Sequence, residues 1–330
     1  MLLTSLSINT SSRQPDLVSD IAIVIPSLNG AHLLSTCLES LRIQTRAPDE
    51  IVVVDDGSTD DTLAFLEANF PEVRVVSHKK TRGVATAFND GIRATKSSIV
   101  VLLNNDTEAE STWLAELCRP LDIDAQCSWC ASKLLLFDRR DVLHSAGDFF
   151  SRDGMPGNRG VWQIDRGQFD RHATVFGPCG AAAAYRRSSL DEVGYFDESL
   201  GSYCEDVDLS FRSMLQGHRG VFVPTARVYH RVSATGGGST ASYFVGRNAI
   251  WVLAQNVPGA LLARYWPRIL ARQVAIAREA AVHWREPAAR ARLRGQIDGL
   301  RGLAGRLHRR RALQSRRQIS IAAIDAALSC

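Results

Sequence analysis

At 330 residues, 45% of them hydrophobic and 22% charged, with a mean hydropathy of −0.08, the chain has the composition of a soluble globular protein that exceeds the commonest size for one domain. No uninterrupted apolar stretch is long enough to cross a bilayer as a helix; the longest apolar runs, such as Ile99–Leu103, have only the length of buried strands. The formal charge of +4 is unevenly spread: residues 256–330 hold fifteen arginines against Glu279, Glu286, Asp298 and Asp325, a net of +11, which leaves −7 for the preceding 255.

Residues 1–19 are polar and rich in Ser and Thr, and read as a flexible leader. They lack the basic region and long apolar stretch of a secretory signal, so a cytoplasmic start is expected. Residues 21–25 form a β-rich run closed by Pro26, as expected of a buried parallel strand. Past Ser27-Leu28-Asn29-Gly30, the residues Leu33, Leu34, Cys37, Leu38 and Leu41 recur at helical spacing. Residues 50–54 are a second strand, 59–69 a helix and 73–76 a third strand; a helix over Val84–Ala94 and a strand over Ile99–Leu103 follow. This alternation predicts an α/β fold, a doubly wound and mostly parallel sheet flanked by helices, with right-handed crossovers.

Residues 125–200 are richer in Gly, Asp, Arg and aromatics, and read as loops and short strands closing over the sheet. Cys127 and Cys130 form a CxxC without a second ligand pair for zinc, and read as two ordinary thiols; seven scattered cysteines suit a reducing compartment. A helix is expected over 205–216. From Asn256 onward the pattern is helical and rich in Arg, Ala and Leu, with interruptions at Pro258, Pro267 and Pro287.

In an open α/β sheet, ligands bind at the carboxyl ends of the strands. Here three such ends are polar: Pro26-Ser27-Leu28-Asn29, Asp55-Asp56-Gly57-Ser58 and Asn104-Asn105-Asp106-Thr107. Asp55 and Asp56 could accept hydrogen bonds from a base or a ribose, or the same run could be a turn that caps the next helix. Asp106, supported by an Asn carbonyl, suits a hard divalent cation, and a solvated loop is the plainer alternative. Glu205, Asp206 and Asp208 open a helix. They could supply a general base or simply complement the helix dipole. His230 alone carries little weight.

Taken together and in order, Ile25-Pro26-Ser27-Leu28-Asn29-Gly30, Val54-Asp55-Asp56-Gly57-Ser58-Thr59-Asp60, Leu102-Leu103-Asn104-Asn105-Asp106-Thr107, Phe196-Asp197-Glu198, Tyr203-Cys204-Glu205-Asp206-Val207-Asp208-Leu209-Ser210-Phe211-Arg212 and Val228-Tyr229-His230 resemble the family 2 glycosyltransferases of the GT-A fold, in the bacterial branch that includes rhamnosyltransferases. The resemblance covers about residues 20–255 and implies a catalytic domain there, with 256–330 a basic helical extension. It implies an inverting transfer from a nucleoside diphosphate sugar, UDP- or dTDP-linked, to a hydroxyl of a glycan or lipid-linked acceptor in cell-surface polysaccharide synthesis. Pro26, Ser27, Asn29, Asp55, Asp56, Asn104 and Arg247 would bind the nucleotide. Asp106 and His230 would hold Mg²⁺ or Mn²⁺, and Asp206 would be the base with Glu205 beside it. Asn104 stands where the family's DxD motif has its first Asp, one charged ligand fewer. Phe149, Trp162, His144 and residues 177–180 are expected to shape the acceptor pocket.

A dinucleotide-dependent oxidoreductase is disfavoured because the first turn carries no G-x-G-x-x-G, and a sugar nucleotidyltransferase because no Gly-rich loop with a basic residue follows the first strand. A non-catalytic nucleotide-sugar-binding scaffold is the alternative of another class. The basic extension lacks the interleaved aromatics of a nucleic-acid binder. A solvated helical extension or an oligomerisation element is the plainer reading of 256–330; Arg264, Arg268 and Arg272, which share two turns with Trp266, Ile269, Leu270 and Val274, fit instead peripheral contact at the inner face of the plasma membrane.

Overall fold

A computed structural model describes residues 19–329 apart from 172, 233, 235 and 236, so the leader expected over 1–19 lies almost wholly outside the described residues. In chain order the elements are β1 (Ile21–Ser27), α1 (Ala31–Arg42), β2 (Glu50–Asp55), α2 (Thr62–Asn69), β3 (Arg74–Ser77), α3 (Val84–Ala94), β4 (Ile99–Leu103), β5 (Thr107–Ala109), α4 (Trp113–Ile123) and β6 (Cys127–Leu136). Then come β7 (Leu143–Ser145), β8 (Asp148–Phe150), β9 (Pro156–Asn158), β10 (Ala182–Arg186), α5 (Arg187–Val193), α6 (Glu205–Leu215) and β11 (Arg219–His230). The chain closes with α7 (Gly238–Asn256), α8 (Gly259–Val282), α9 (Pro287–Arg301), α10 (Leu303–Ser315) and α11 (Ile321–Ala327).

Among the described residues, nine strands form one sheet along the order β3-β2-β1-β4-β10-β6-β11-β5, with β7 on β6; β8 and β9 form a separate hairpin. β1 pairs in parallel with β2 and β4, and β2 with β3, as the strand–helix alternation requires. β10 runs antiparallel to both β4 and β6. The segment 125–200 therefore contributes two central strands to the sheet as well as the loops over it. Its uniformly buried β6 has no amphipathic alternation, because both faces are covered.

The alternation within β1 sorts the core. Ile21, Ile23 and Ile25 pack with Leu34, Leu38, Trp113 and Leu117 on one face, while Val24 packs with Phe88, Ile92 and Val100 on the other. A third cluster joins Phe150, Phe211 and Leu215 to Val252, Leu261, Ile324 and Leu328, which welds the C-terminal helices to α6. Pro267 does not interrupt α8, contrary to expectation. Pro267 and Ala263 one turn earlier are both exposed, so water can take the carbonyl that a proline leaves unbonded.

Candidate active site

The first two polar strand ends are stitched to each other. Asn29, in left-handed backbone at φ 51°, donates its N–H to Ser58 Oγ at 2.8 Å and accepts the Thr59 N–H on Oδ1 at 2.8 Å. Gly57 has φ 83°, and a Cβ there would lie 2.7 Å from the Lys80 backbone, so only glycine fits. Asp55 accepts from Ser58 N–H and Ser77 Oγ, each at 3.3 Å. Asp56 accepts the N–H groups of Arg82 and Gly83 at 2.9 Å and faces His78 Nδ1 at 2.7 Å. His78 Nε2 in turn meets Asp90 at 3.1 Å. Asp56 thus organises the 82–83 loop beside the strand ends. At the start of α2 it is Asp60 that accepts the Thr62 N–H, at 3.1 Å.

The third strand end joins the first through Asn105, whose Nδ2 donates to Ser27 Oγ at 3.0 Å. Antiparallel pairing of β5 with β11 sets His230 opposite Thr107, and His230 Nε2 lies 3.0 Å from Asp106 Oδ1. His144, expected in an acceptor pocket, stands behind this pair: its Nδ1 is 3.0 Å from His230 Nδ1. Burial and the neighbouring His230 push His144 down to about 3, so it is neutral, and one of the two facing nitrogens carries a hydrogen while the other offers a lone pair.

Among the described residues no cluster of three His, Cys, Asp or Glu side chains could hold a metal alone. A carboxylate oxygen and an imidazole nitrogen facing one point nevertheless fit a hard divalent cation, which commonly completes its shell with phosphate oxygens and water. With its hydrogen on Nδ1, directed at His144, His230 would have Nε2 free for such a cation.

The acids of α6 receive different environments. Tyr203 and Cys204 just before them are both left-handed, at φ 65° and 66°. They are held by buried Asn248 of α7, whose Nδ2 donates to the carbonyls of Tyr203 (2.7 Å), Ser202 (2.9 Å) and Leu200 (3.0 Å). Asp208 is fully buried on Arg212 (2.8 Å), Gln255 (2.5 Å) and Asn256 (2.7 Å), and ties α6 to the end of α7. Burial, and then the charge of Asp206, push Glu205 up to about 8, so it is neutral at pH 7 and unsuited to serve as the base there.

Asp206 is also raised by burial, but the Gly180 N–H at 2.9 Å and Val207 N–H at 2.8 Å oppose that and favour its anion. The adjoining Ala181 carbonyl accepts the Asn104 N–H at 2.9 Å, so residues 180–181 bridge Asp206 to the strand end that carries Asp106. Among the described residues, the contacts of Arg247 run to the 199–200 segment and along α7. Its guanidinium donates to the carbonyls of Leu200 (2.6 Å) and Ser199 (3.3 Å) and lies over Trp251.

Sequence reasoning missed His78, Asp148 and the placement of His144. Asp148 sits in an ordinary Gly-Asp-Phe-Phe run, yet it is buried, accepts the Asn158 Nδ2–H at 2.7 Å and is pushed well above the usual carboxylate range by burial and then by the charge of Asp206.

The chain is 30% identical over 225 residues to the Pre-mycofactocin glycosyltransferase of Mycobacterium tuberculosis, a stretch covering 64% of this chain and 42% of that protein. It is also 30% identical over 180 residues to a PGL/p-HBAD biosynthesis glycosyltransferase of Mycobacterium bovis, covering 53% and 62%. It thus spans less than two thirds of the length of these curated relatives. Among solved structures, it superposes on GalNAc-T7 with UDP, GalNAc and Mn²⁺ at a TM-score of 0.60 and 18% identity, over 73% of this chain and 48% of that one. It superposes on S. aureus TarS 1-349 at 0.55 and 17%, over 90% of both. At that identity the likeness is one of fold, and the fold is GT-A. Residues 22–194, just over half of the sequence, match the family model described as Glycosyl transferase family 2, and the chain belongs to that family.

Proposed function

We propose that the protein is an inverting glycosyltransferase that moves a sugar from a UDP- or dTDP-linked donor, such as rhamnose, glucose or galactose, to a hydroxyl of a glycan or lipid-linked acceptor. Bacterial cell-surface polysaccharide synthesis and the rhamnosyltransferase-like branch are the setting this reading favours. The observation that carries it is the 180–181 bridge, which ties Asp206, an acid accepting two backbone N–H groups, to the strand end bearing Asp106 and His230.

In this reading Pro26, Ser27, Asn29, Asp55, Asp56 and Asn104 surround the nucleoside, and Arg247 secures the segment beside the diphosphate. Asp106 and His230 would hold Mg²⁺ or Mn²⁺, which when bound neutralises charge on the diphosphate. Asp206 accepts the proton of the acceptor hydroxyl as that oxygen attacks the anomeric carbon from the face opposite the leaving group, which inverts the configuration. The division into a catalytic domain over 20–255 and an extension over 256–330 belongs to the same proposal.

Release of nucleoside diphosphate from UDP-glucose, UDP-galactose and dTDP-rhamnose, with Mn²⁺ or Mg²⁺ and with chelator, tests the reading. Turnover in at least one case is expected, with about 10³-fold or greater loss in Asp206→Asn, since general base catalysis and correct positioning are lost together. Full activity in chelator would remove the metal. Calorimetric binding of these donors without turnover would favour a scaffold instead.

The basic extension supports peripheral contact with the inner face of the plasma membrane. Among the described residues no helix is long and apolar enough to cross a membrane. On α8, Trp266, Leu270 and Val274 are exposed at four-residue spacing beside exposed Arg268 and Arg278, which matches an anionic lipid surface in both charge and apolarity. Co-sedimentation with phosphatidylglycerol vesicles is expected, and loss of it in Trp266→Ser/Leu270→Ser. Failure of the intact chain to sediment would withdraw this contact.

A further inference from the structure

The end of β6 is flanked on both sides by strands that bring histidines together. On one side His230 of β11 is in parallel register with Leu136. On the other, β7 runs antiparallel with Leu143 opposite Leu135 and Ser145 opposite Leu134. That register leaves His144 as the extra residue of a β-bulge, a device that re-aims a side chain away from the regular pleat. Leu143 and Ser145 are fully buried on either side of it, whereas His144 is half-buried and its ring meets that of His230, with centroids 4.8 Å apart and Nδ1 3.0 Å from Nδ1. Among the described residues, His230 is its one hydrogen-bonding partner.

The hydrogen between these two nitrogens decides what His230 can do. To ligate a cation, an imidazole must be neutral and present a lone pair. Nε2 of His230 is the nitrogen that faces Asp106, with Oδ1 at 3.0 Å. Neighbouring ligands of an octahedral shell, each about 2.1 Å from the ion, stand about 3 Å apart, so this spacing suits one cation held by both. For Nε2 to offer its lone pair, the ring's single hydrogen must sit on Nδ1, where His144 is placed to accept it. Were that hydrogen on His144 instead, His230 Nδ1 would be the acceptor, Nε2 would carry the hydrogen and the ring could not ligate.

We propose that His144 is a positioning residue for the metal site: it accepts the Nδ1 hydrogen of His230, which fixes that ring's orientation and keeps Nε2 available beside Asp106. This rests on the reading of Asp106 and His230 as the metal ligands. His144 carries its own hydrogen on Nε2 and acts through His230, not on the acceptor. The bulge in β7 serves this placement, because a regular register would pair residue 144 with β6.

Mn²⁺ binding to the full chain with saturating UDP, read by electron paramagnetic resonance from loss of the free-ion signal, tests this in the wild type, His144→Leu, His144→Asn and His230→Ala. Leu fills the space without an acceptor, and Mn²⁺ affinity should fall about 10- to 100-fold. Asn can set its amide oxygen near the position of Nδ1 and should recover most of that loss. UDP affinity in chelator should match the wild type in both, which separates a weakened metal site from a disturbed fold. Wild-type Mn²⁺ affinity in His144→Leu, or an Asn variant as weak as Leu, would overturn the proposal.

Long-range proton–nitrogen NMR spectra of the wild type with Mg²⁺ and UDP give a reading that needs no change at residue 144. The His230 ring, identified by its absence in His230→Ala, should show a protonated Nδ1 and an unprotonated Nε2. A hydrogen on Nε2 in the metal-loaded protein would also overturn the proposal. Unchanged Mn²⁺ affinity in His230→Ala overturns the underlying reading of the ligands, and is distinguished because His144 is intact in that variant.

Discussion

At the scale of single residues, the site separates acids that lie side by side in sequence by what surrounds each of them. Glu205, Asp206 and Asp208 share a first helical turn, yet Asp208 is locked into an ion pair, Glu205 is pushed up to about 8 by burial, and Asp206 accepts the N–H groups of Gly180 and Val207. Glu205 has a consequence for stability. Below its ordinary value of 4.5 it is protonated whether the chain is folded or unfolded; between 4.5 and about 8 only the unfolded chain ionises it, so its contribution favours unfolding progressively as pH rises and levels off above about 8. Denaturant titrations across that range should show a smaller loss of stability in Glu205→Gln, with kcat at pH 7 close to wild type. A collapse of kcat in that variant would transfer the base role to Glu205. Little of this was legible in the sequence, where three acids opening a helix are equally a dipole complement, a cap and a base. Burial and the choice of donors come from segments 26 to 48 residues away.

At the scale of elements, β1, β2, β4 and the helices between them could be read directly, because buried parallel strands and amphipathic helices have unlike periods. The polar ends of those strands were legible for the same reason. The middle segment was not. β6 and β10 take their places through pairing with distant strands, and short apolar runs do not declare such partners.

One further element-scale feature is testable. Helix α7 holds the Tyr203–Cys204 pair in left-handed backbone through Asn248, a conformation that costs of order 1–3 kcal/mol per bulky residue unless its surroundings enforce it. Asn248→Ala is expected to lower both melting temperature and kcat. Adding Cys204→Gly should restore part of each, since glycine enters that region freely. If the glycine lowers stability further, strain is not what Asn248 contains.

At the scale of the whole molecule, the C-terminal helices share a core with the family 2 fold. Leu261, Ile324 and Leu328 are buried with Phe211 and Leu215 of α6, and buried Arg306 of α10 bonds Asp197 (2.8 Å) and Ser199 Oγ (2.8 Å) while lying over Trp251. Burial would raise Asp197, but the Ser199 hydrogen bond and Arg309 with Arg306 outweigh it and hold the carboxyl at about 2. Its contribution to stability is thus present above its ordinary value of 3.8 and lost as pH falls through about 2. Truncation at Asn256 should give an insoluble or molten product by circular dichroism and dye binding, and Arg306→Ala should cost about 3–5 kcal/mol in chemical denaturation. A soluble, cooperative fragment would show the helices to be dispensable.

The sequence by itself determined the alternating strands and helices, the polar strand ends, their order along the chain and the charge of the C-terminal segment, because each is written in local composition and period. Only the tertiary structure decided that His144 backs His230, that Asp148 is buried on Asn158, that Asp208 is bound up in packing and that the basic helices complete a core. Those outcomes depend on which distant groups share a buried volume. In low dielectric, such neighbours set both the protonation of an acid and the orientation of its side chain.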